Sequence, residues 1–200
     1  MALNFATNNS LSAITSLPAS ISGGGLNLIS TQTASSSSSL SFTSGIDSTY
    51  KEYVFKFINI HPATNNADWT FNMSIDGGSN YNATKTTTAF QAAHAEDDGV
   101  ANLEYKPTMD LAQSTAYQII GNEVNNANDS STVGSLHLFD PSSTVFVKHF
   151  TYTGNVRFTG RSVNVFHAGY ANTTSAVNAV DFKFSSGNID SGVIKLYGVS

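Results

Sequence analysis

Apolar and polar residues alternate with a period of two along most of the chain, in short segments fenced by Ser, Thr, Asn, Gly or Asp. That period puts successive side chains on opposite faces of an extended backbone and predicts half-buried β-strands. The clearest case is residues 69–75, where Trp69, Phe71, Met73 and Ile75 alternate with Thr70, Asn72 and Ser74. One face of this strand is expected in the core and the other in water. It stops at Asp76-Gly77-Gly78, whose glycines supply the positive φ values of a tight turn, and residues 81–90 are expected to return as its hairpin partner. Residues 51–60 are apolar on both sides, with Tyr53, Phe55 and Phe57 on one and Val54, Ile58 and Ile60 on the other. This reads as a central strand with both faces covered.

A short strand carries Leu40 and Phe42, and regular alternation returns over residues 117–124, 133–139, 145–152, 163–170, 179–184 and 193–199. The low-complexity run Ala34-Ser-Ser-Ser-Ser-Ser39 reads as a loop. From 91 to 110 the pattern weakens around Glu96-Asp97-Asp98-Gly99 and Lys106-Pro107, which predicts a long excursion with room for a short helix. Residues 1–25 hold Leu3, Phe5, Leu11, Ile14 and Leu17 with no sustained period, followed by Pro18 and Gly23-Gly24-Gly25. The expected organisation is an extended N-terminal arm (1–25) ahead of one all-β domain (26–200). Roughly ten strands would form an antiparallel two-sheet sandwich of jelly-roll type. The arm reads either as a frayed terminus or as an attachment segment whose five apolar residues dock on another subunit.

The 200 residues, 40% hydrophobic, suffice for one well-buried core. Only 12% are charged, about half the usual share, and Ser, Thr and Asn fill the surface instead. Nine scattered Lys and Arg against 14 Asp and Glu leave no basic stripe for a phosphate backbone, so nucleic acid is not an expected partner. The chain has no Cys, which removes disulfides, thiolate zinc sites and a Cys nucleophile. The N-terminus lacks the features of a secretory signal and no stretch has membrane-spanning length, so synthesis in a cytoplasm and no membrane partner are expected.

Motifs that carry chemistry are scarce. There is no Gly-x-Ser-x-Gly elbow, no phosphate-cradling loop and no His-Glu-x-x-His, and no cofactor or metal is expected. His61, His94, His137, His149 and His167 stand singly; His61 reads as structural at a turn, and His137, His149 and His167 as surface or hydrogen-bonded sheet positions. Glu96, Asp97 and Asp98 could hold calcium, but a solvated loop tip is the favoured reading. A glycan platform needs an exposed aromatic beside amides, and Trp69, Tyr81, Tyr105 and Tyr152 are the candidates. Trp69 sits on the apolar face of its strand and reads as core.

Several blocks carry a resemblance: Leu28-Ile-Ser-Thr-Gln-Thr33 through Phe42-Thr-Ser-Gly-Ile-Asp-Ser-Thr-Tyr50, Tyr53-Val-Phe-Lys-Phe-Ile-Asn-Ile-His-Pro62, Ser74-Ile-Asp-Gly-Gly-Ser-Asn-Tyr81, Leu136-His-Leu-Phe-Asp-Pro-Ser-Ser143 and Ser185-Ser-Gly-Asn-Ile-Asp-Ser-Gly-Val-Ile-Lys-Leu-Tyr-Gly198. Together they resemble small virion structural proteins of marine tailed bacteriophages, cyanophages among them. The resemblance implies a non-enzymatic subunit on the exterior of the particle, as capsid decoration, head fibre or tail component. Its expected place is the virion, after synthesis in the host bacterium, with other virion proteins as partners and a homo-oligomer, a trimer, as its own assembly. The alternative is a receptor-binding module of a tail fibre contacting a host-surface glycan through loops such as 76–81, 91–110 or 121–132.

Overall fold

The structure is a computed structural model and describes residues 25–200. The attachment candidates Leu3, Phe5, Leu11, Ile14 and Leu17 lie outside the described residues. Twelve strands follow one another: β1 (Leu26–Ser37), β2 (Leu40–Phe42), β3 (Glu52–Pro62), β4 (Ala67–Ser74), β5 (Lys85–Ala95), β6 (Ala101–Tyr105), β7 (Gln118–Val124), β8 (Thr132–Phe139), β9 (Lys148–Phe158), β10 (Arg161–Ala171), β11 (Ala179–Phe184) and β12 (Ile189–Val199). The only helical turn among the described residues is a 3-10 turn at Pro107–Met109. The strands form an antiparallel eight-stranded sheet, β1-β12-β3-β8-β9-β10-β5-β6, packed on a four-stranded sheet, β2-β11-β4-β7. The chain is therefore an all-β two-sheet sandwich.

The inward-facing aromatics meet around Phe182 on β11. Phe55 and Phe57 of β3, Phe42 of β2, and Trp69 and Phe71 of β4 all have rings 5.0–6.2 Å from it. Trp69, Phe71 and Met73 are fully buried, as their alternation requires. Their strand departs from expectation on its other face, because Thr70, Asn72 and Ser74 are buried too. Chain that follows the strand meets that face: the Asn72 side-chain amide donates to Tyr81 O at 2.6 Å and to Thr115 O at 3.0 Å. Ile75 falls beyond the strand end and is exposed.

Four further expectations are corrected. Most of the serine run is not a loop: residues 34–37 belong to β1, where Ala34 pairs with Gly192 and Ser35 with Ser191 on β12, and only Ser38 and Ser39 connect it to β2. An edge strand needs its neighbour's backbone more than apolar side chains of its own, so composition alone hid it. In β3 only one face is covered along its middle, since Lys56 and Ile58 are exposed. Asn59 has φ of +49° at a register shift between Phe57 and Ile60, and that bulge returns Ile60 to the core. After the Asp76-Gly77-Gly78 turn the chain does not pair back onto β4 as a strand. It crosses to the other sheet, where β5 lies between β10 and β6.

Finally, residues 91–110 are not an excursion but the end of β5, a tight turn, β6 and the 3-10 turn. The pattern faded there because its polarity is inverted. Ala89 and Gln91 point inward and are buried while Phe90 points outward, 46% exposed.

Candidate functional site

β10, β5 and β6 extend the large sheet past the row that β2-β11-β4-β7 faces, since β7 packs mainly on β9 and only weakly on β10. Residues 106–114 run along the edge of β5 that β6 leaves unpaired. Lys106 N donates to Ala89 O, Thr87 N to Leu111 O and Lys85 N to Ser114 O, and Met109 is buried beneath. The outer side stays open to solvent.

On that outer side the registers of β5, β10 and β9 bring side chains into cross-strand rows. Tyr170 lies between Thr86 and His149, Ala168 between Thr88 and Thr151, and Phe166 between Phe90 and Thr153. The Phe90 and Phe166 rings stack at 4.8 Å with 10° between planes. The Tyr170 ring is 5.9 Å from His149. Tyr170, His149 and the threonines at 86, 88 and 151 thus line a shallow trough of about 330 Å³ with Ala168 as its floor, and the Phe90–Phe166 stack lies outside it, next along the same strands. Tyr105, 61% exposed on β6 opposite Phe90, extends the trough and has its hydroxyl bonded to the Asp110 carboxylate.

Of the aromatics proposed from sequence as a glycan platform, Tyr105 alone lies at this trough. Trp69 is in the core as expected, whereas Tyr152 is buried and leaves the candidate set. Phe90, Phe166 and Tyr170 were not among them; Phe166 and Tyr170 stand four positions apart on one strand face, a spacing that Ala168 interrupts in the sequence.

A second concavity, about 150 Å³, opens on the inner side between β6 and the β7 edge. Three of its polar groups are used on one another: Gln91 Nε2 donates to Glu104 Oε1 at 2.8 Å and Lys106 Nζ to the same oxygen at 3.1 Å.

The histidines do not converge. His61 Nδ1 bonds Ser130 O at 2.6 Å, the structural role expected of it, and His137 Nδ1 bonds Glu52 Oε1 at 2.6 Å. His167 departs from its expected surface or hydrogen-bonded position: it is buried beside Tyr152, neither ring nitrogen has a partner, and burial lowers its pKa to about 4. Glu96-Asp97-Asp98 forms the β5–β6 turn, in which Asp98 has φ of +58° and Asp97 Oδ1 accepts from Gly99 N at 2.9 Å. Among the described residues no three His, Asp or Glu side chains are grouped to hold a metal ion.

Two lysines are buried on the inner face. Lys85 and Lys148 both pair with Ala171, one from each side. Lys85 Nζ donates to Asn72 Oδ1 at 2.5 Å and to Ala83 O at 2.7 Å, and desolvation lowers its pKa to about 7. Lys148 Nζ donates to Phe146 O and Thr173 O. Each amine ties a loop end to the sheet, a structural task that needs no substrate.

No family model, no curated protein and no solved structure matches the chain.

Proposed function

We propose that this chain is a non-enzymatic structural subunit on the exterior of a phage particle, joined to it through the segment before β1. The observation that carries the reading is the unlike character of the two edges of the eight-stranded sheet. β1 is a 12-residue edge strand with Leu28 56% exposed, and it continues directly from residues 1–24. A long edge with exposed leucines invites pairing or cover by another chain. The opposite edge, β6, adjoins the aromatic trough. The virion resemblance of the sequence blocks supports the same assignment. The strand order fits it as well: with β5-β6 and β9-β10 set aside as insertions, β1-β12-β3-β8 faces β2-β11-β4-β7, which we read as a jelly roll.

Deleting residues 2–22 tests this reading. The truncated protein should fold and stay in solution but be missing from purified particles, whereas incorporation at normal levels would refute attachment through this segment. Electron cryomicroscopy of intact particles then assigns head or tail. A second reading, host-glycan binding by the same subunit, is favoured by the trough itself.

A further inference from the structure

We propose that the outer-face trough of β9, β10 and β5 is a saccharide site that takes a neutral pyranose ring, with Ala168 as its floor and Tyr170 beside His149 as its aromatic wall. The inference rests on the glycan-binding reading above and assigns it a place.

The geometry matches the two faces of sugar chemistry. A pyranose presents patches of C–H and a rim of hydroxyls, so its receptor needs aromatic surface and short polar groups within one concavity. Tyr170 supplies the aromatic surface of the trough, with the His149 ring 5.9 Å away. Next to it Ala168 carries a single methyl group, so the floor lies below the Tyr170 ring. Thr88 and Thr151 flank Ala168 on either side, and each hydroxyl can both donate and accept. His149 adds ring nitrogens at one wall and is exposed to solvent. At the β6 side, Tyr105 and Asp110 hold one another in place beside the trough.

The charge pattern selects the ligand further. None of the side chains forming walls or floor is a Lys, Arg, Asp or Glu. A phosphate or nucleic acid would meet no cation there. A second copy of this chain would stack a sheet on this face and needs about 800 Å² of complementary surface per partner. The threonine row interrupts the apolar surface at its centre, which suits a polyhydroxylated ring better than a second hydrophobic sheet.

The test is titration calorimetry of the full chain with D-glucose, D-galactose, D-mannose and N-acetyl-D-glucosamine, and separately with maltohexaose, cellohexaose and chitohexaose. At least one sugar should bind with a dissociation constant in the millimolar range or tighter. A hexasaccharide that binds better than its monomer would identify a polysaccharide chain as the source, and equal binding a terminal sugar. Tyr170→Ala should weaken binding at least about tenfold, and Ala168→Trp, which fills the floor, should abolish it. Ala168 is exposed and Tyr170 half-buried, so the Ala168→Trp melt should stay close to wild type and Tyr170→Ala should still melt cooperatively as a folded protein; Phe139→Ala, an exposed aromatic on β8, is the control that should leave binding unchanged. No binding by any of these sugars at about 20 mM overturns the proposal. So does binding that survives Ala168→Trp, or a self-association that Ala168→Trp removes. Incorporation into particles is read independently, so loss of the saccharide site would leave the structural reading standing.

Discussion

At the scale of single residues, the interior separates side chains that pack from those that are only tolerated. Trp69 is fully buried, lies 5.9 Å from Phe182 and 5.0 Å from Phe184, and has no partner for its indole N–H. Its contribution is therefore bulk, and Trp69→Ala should destabilise the fold by about 3–5 kcal/mol in denaturant melts. A loss under about 1 kcal/mol would contradict its place in the core. Lys85 behaves differently because its state depends on pH. Its folded pKa, about 7, lies below the ordinary value of 10.5, so between these limits the unfolded chain holds the extra proton. Its contribution to stability is thus fully present above about 10.5 and is lost as pH falls toward 7. Lys85→Met should remove this dependence while leaving Asn72 Oδ1 and Ala83 O short of a donor. Urea melts at pH 9.5 and pH 7 should show the variant further below wild type at the higher pH. A gap that widens toward pH 7 would reverse the argument.

Among the elements, β8 and β9 show how a local sequence choice sets the spacing of the sandwich. Gly134 and Gly154 pair across these strands, and Tyr152 folds back so that its hydroxyl lies over both. A Cβ on Gly154 would stand 1.9 Å from that hydroxyl and 2.8 Å from Val133 O. Gly154→Ala must displace a buried phenol or the strand, and a cost of at least about 1–3 kcal/mol is expected. Double mutation with Tyr152→Phe should recover part of it, and full additivity would show that the hydroxyl is not the obstacle. Such positions also explain what was legible from sequence. β4, β7, β8, β10, β11 and β12 follow the alternation because one face meets the aromatic core. The second half of β5 and all of β6 do not, because the extension they form buries small and polar residues and exposes Phe90, Leu103 and Tyr105. The serine stretch of β1 was hidden for another reason, since an edge strand is specified by β12 more than by itself. The trough was beyond reach from sequence because its walls and floor come from three strands whose pairing joins residues 86, 149 and 170, far apart in the chain.

For the molecule as a whole, the two ends of the large sheet imply different partners. Seven strand spacings separate β1 from β6, about 33 Å before twist is considered. Contacts made at one edge therefore leave the other free. Leu26 and Leu28 at the β1 edge, 44% and 56% exposed, form an apolar strip beside backbone that is unpaired among the described residues, and the chain carries no cysteine that could join subunits covalently. Cover for that strip comes at least cost from another copy of the chain, because closed symmetric assembly satisfies every edge alike. The isolated protein should accordingly be a homo-oligomer, with a trimer expected by analogy with sandwich subunits of virus particles. Glu96, Asp97 and Asp98 sit in the β5–β6 turn at the far end of the sheet, so chelator should not alter the assembly. Sedimentation velocity at micromolar concentration reads all of this at once. Wild type should run as a single oligomer with and without chelator, and Leu28→Lys, which places a charge on the strip, should shift it toward monomer. A wild-type monomer would refute the edge argument, and an oligomer indifferent to Leu28→Lys would move the interface away from β1.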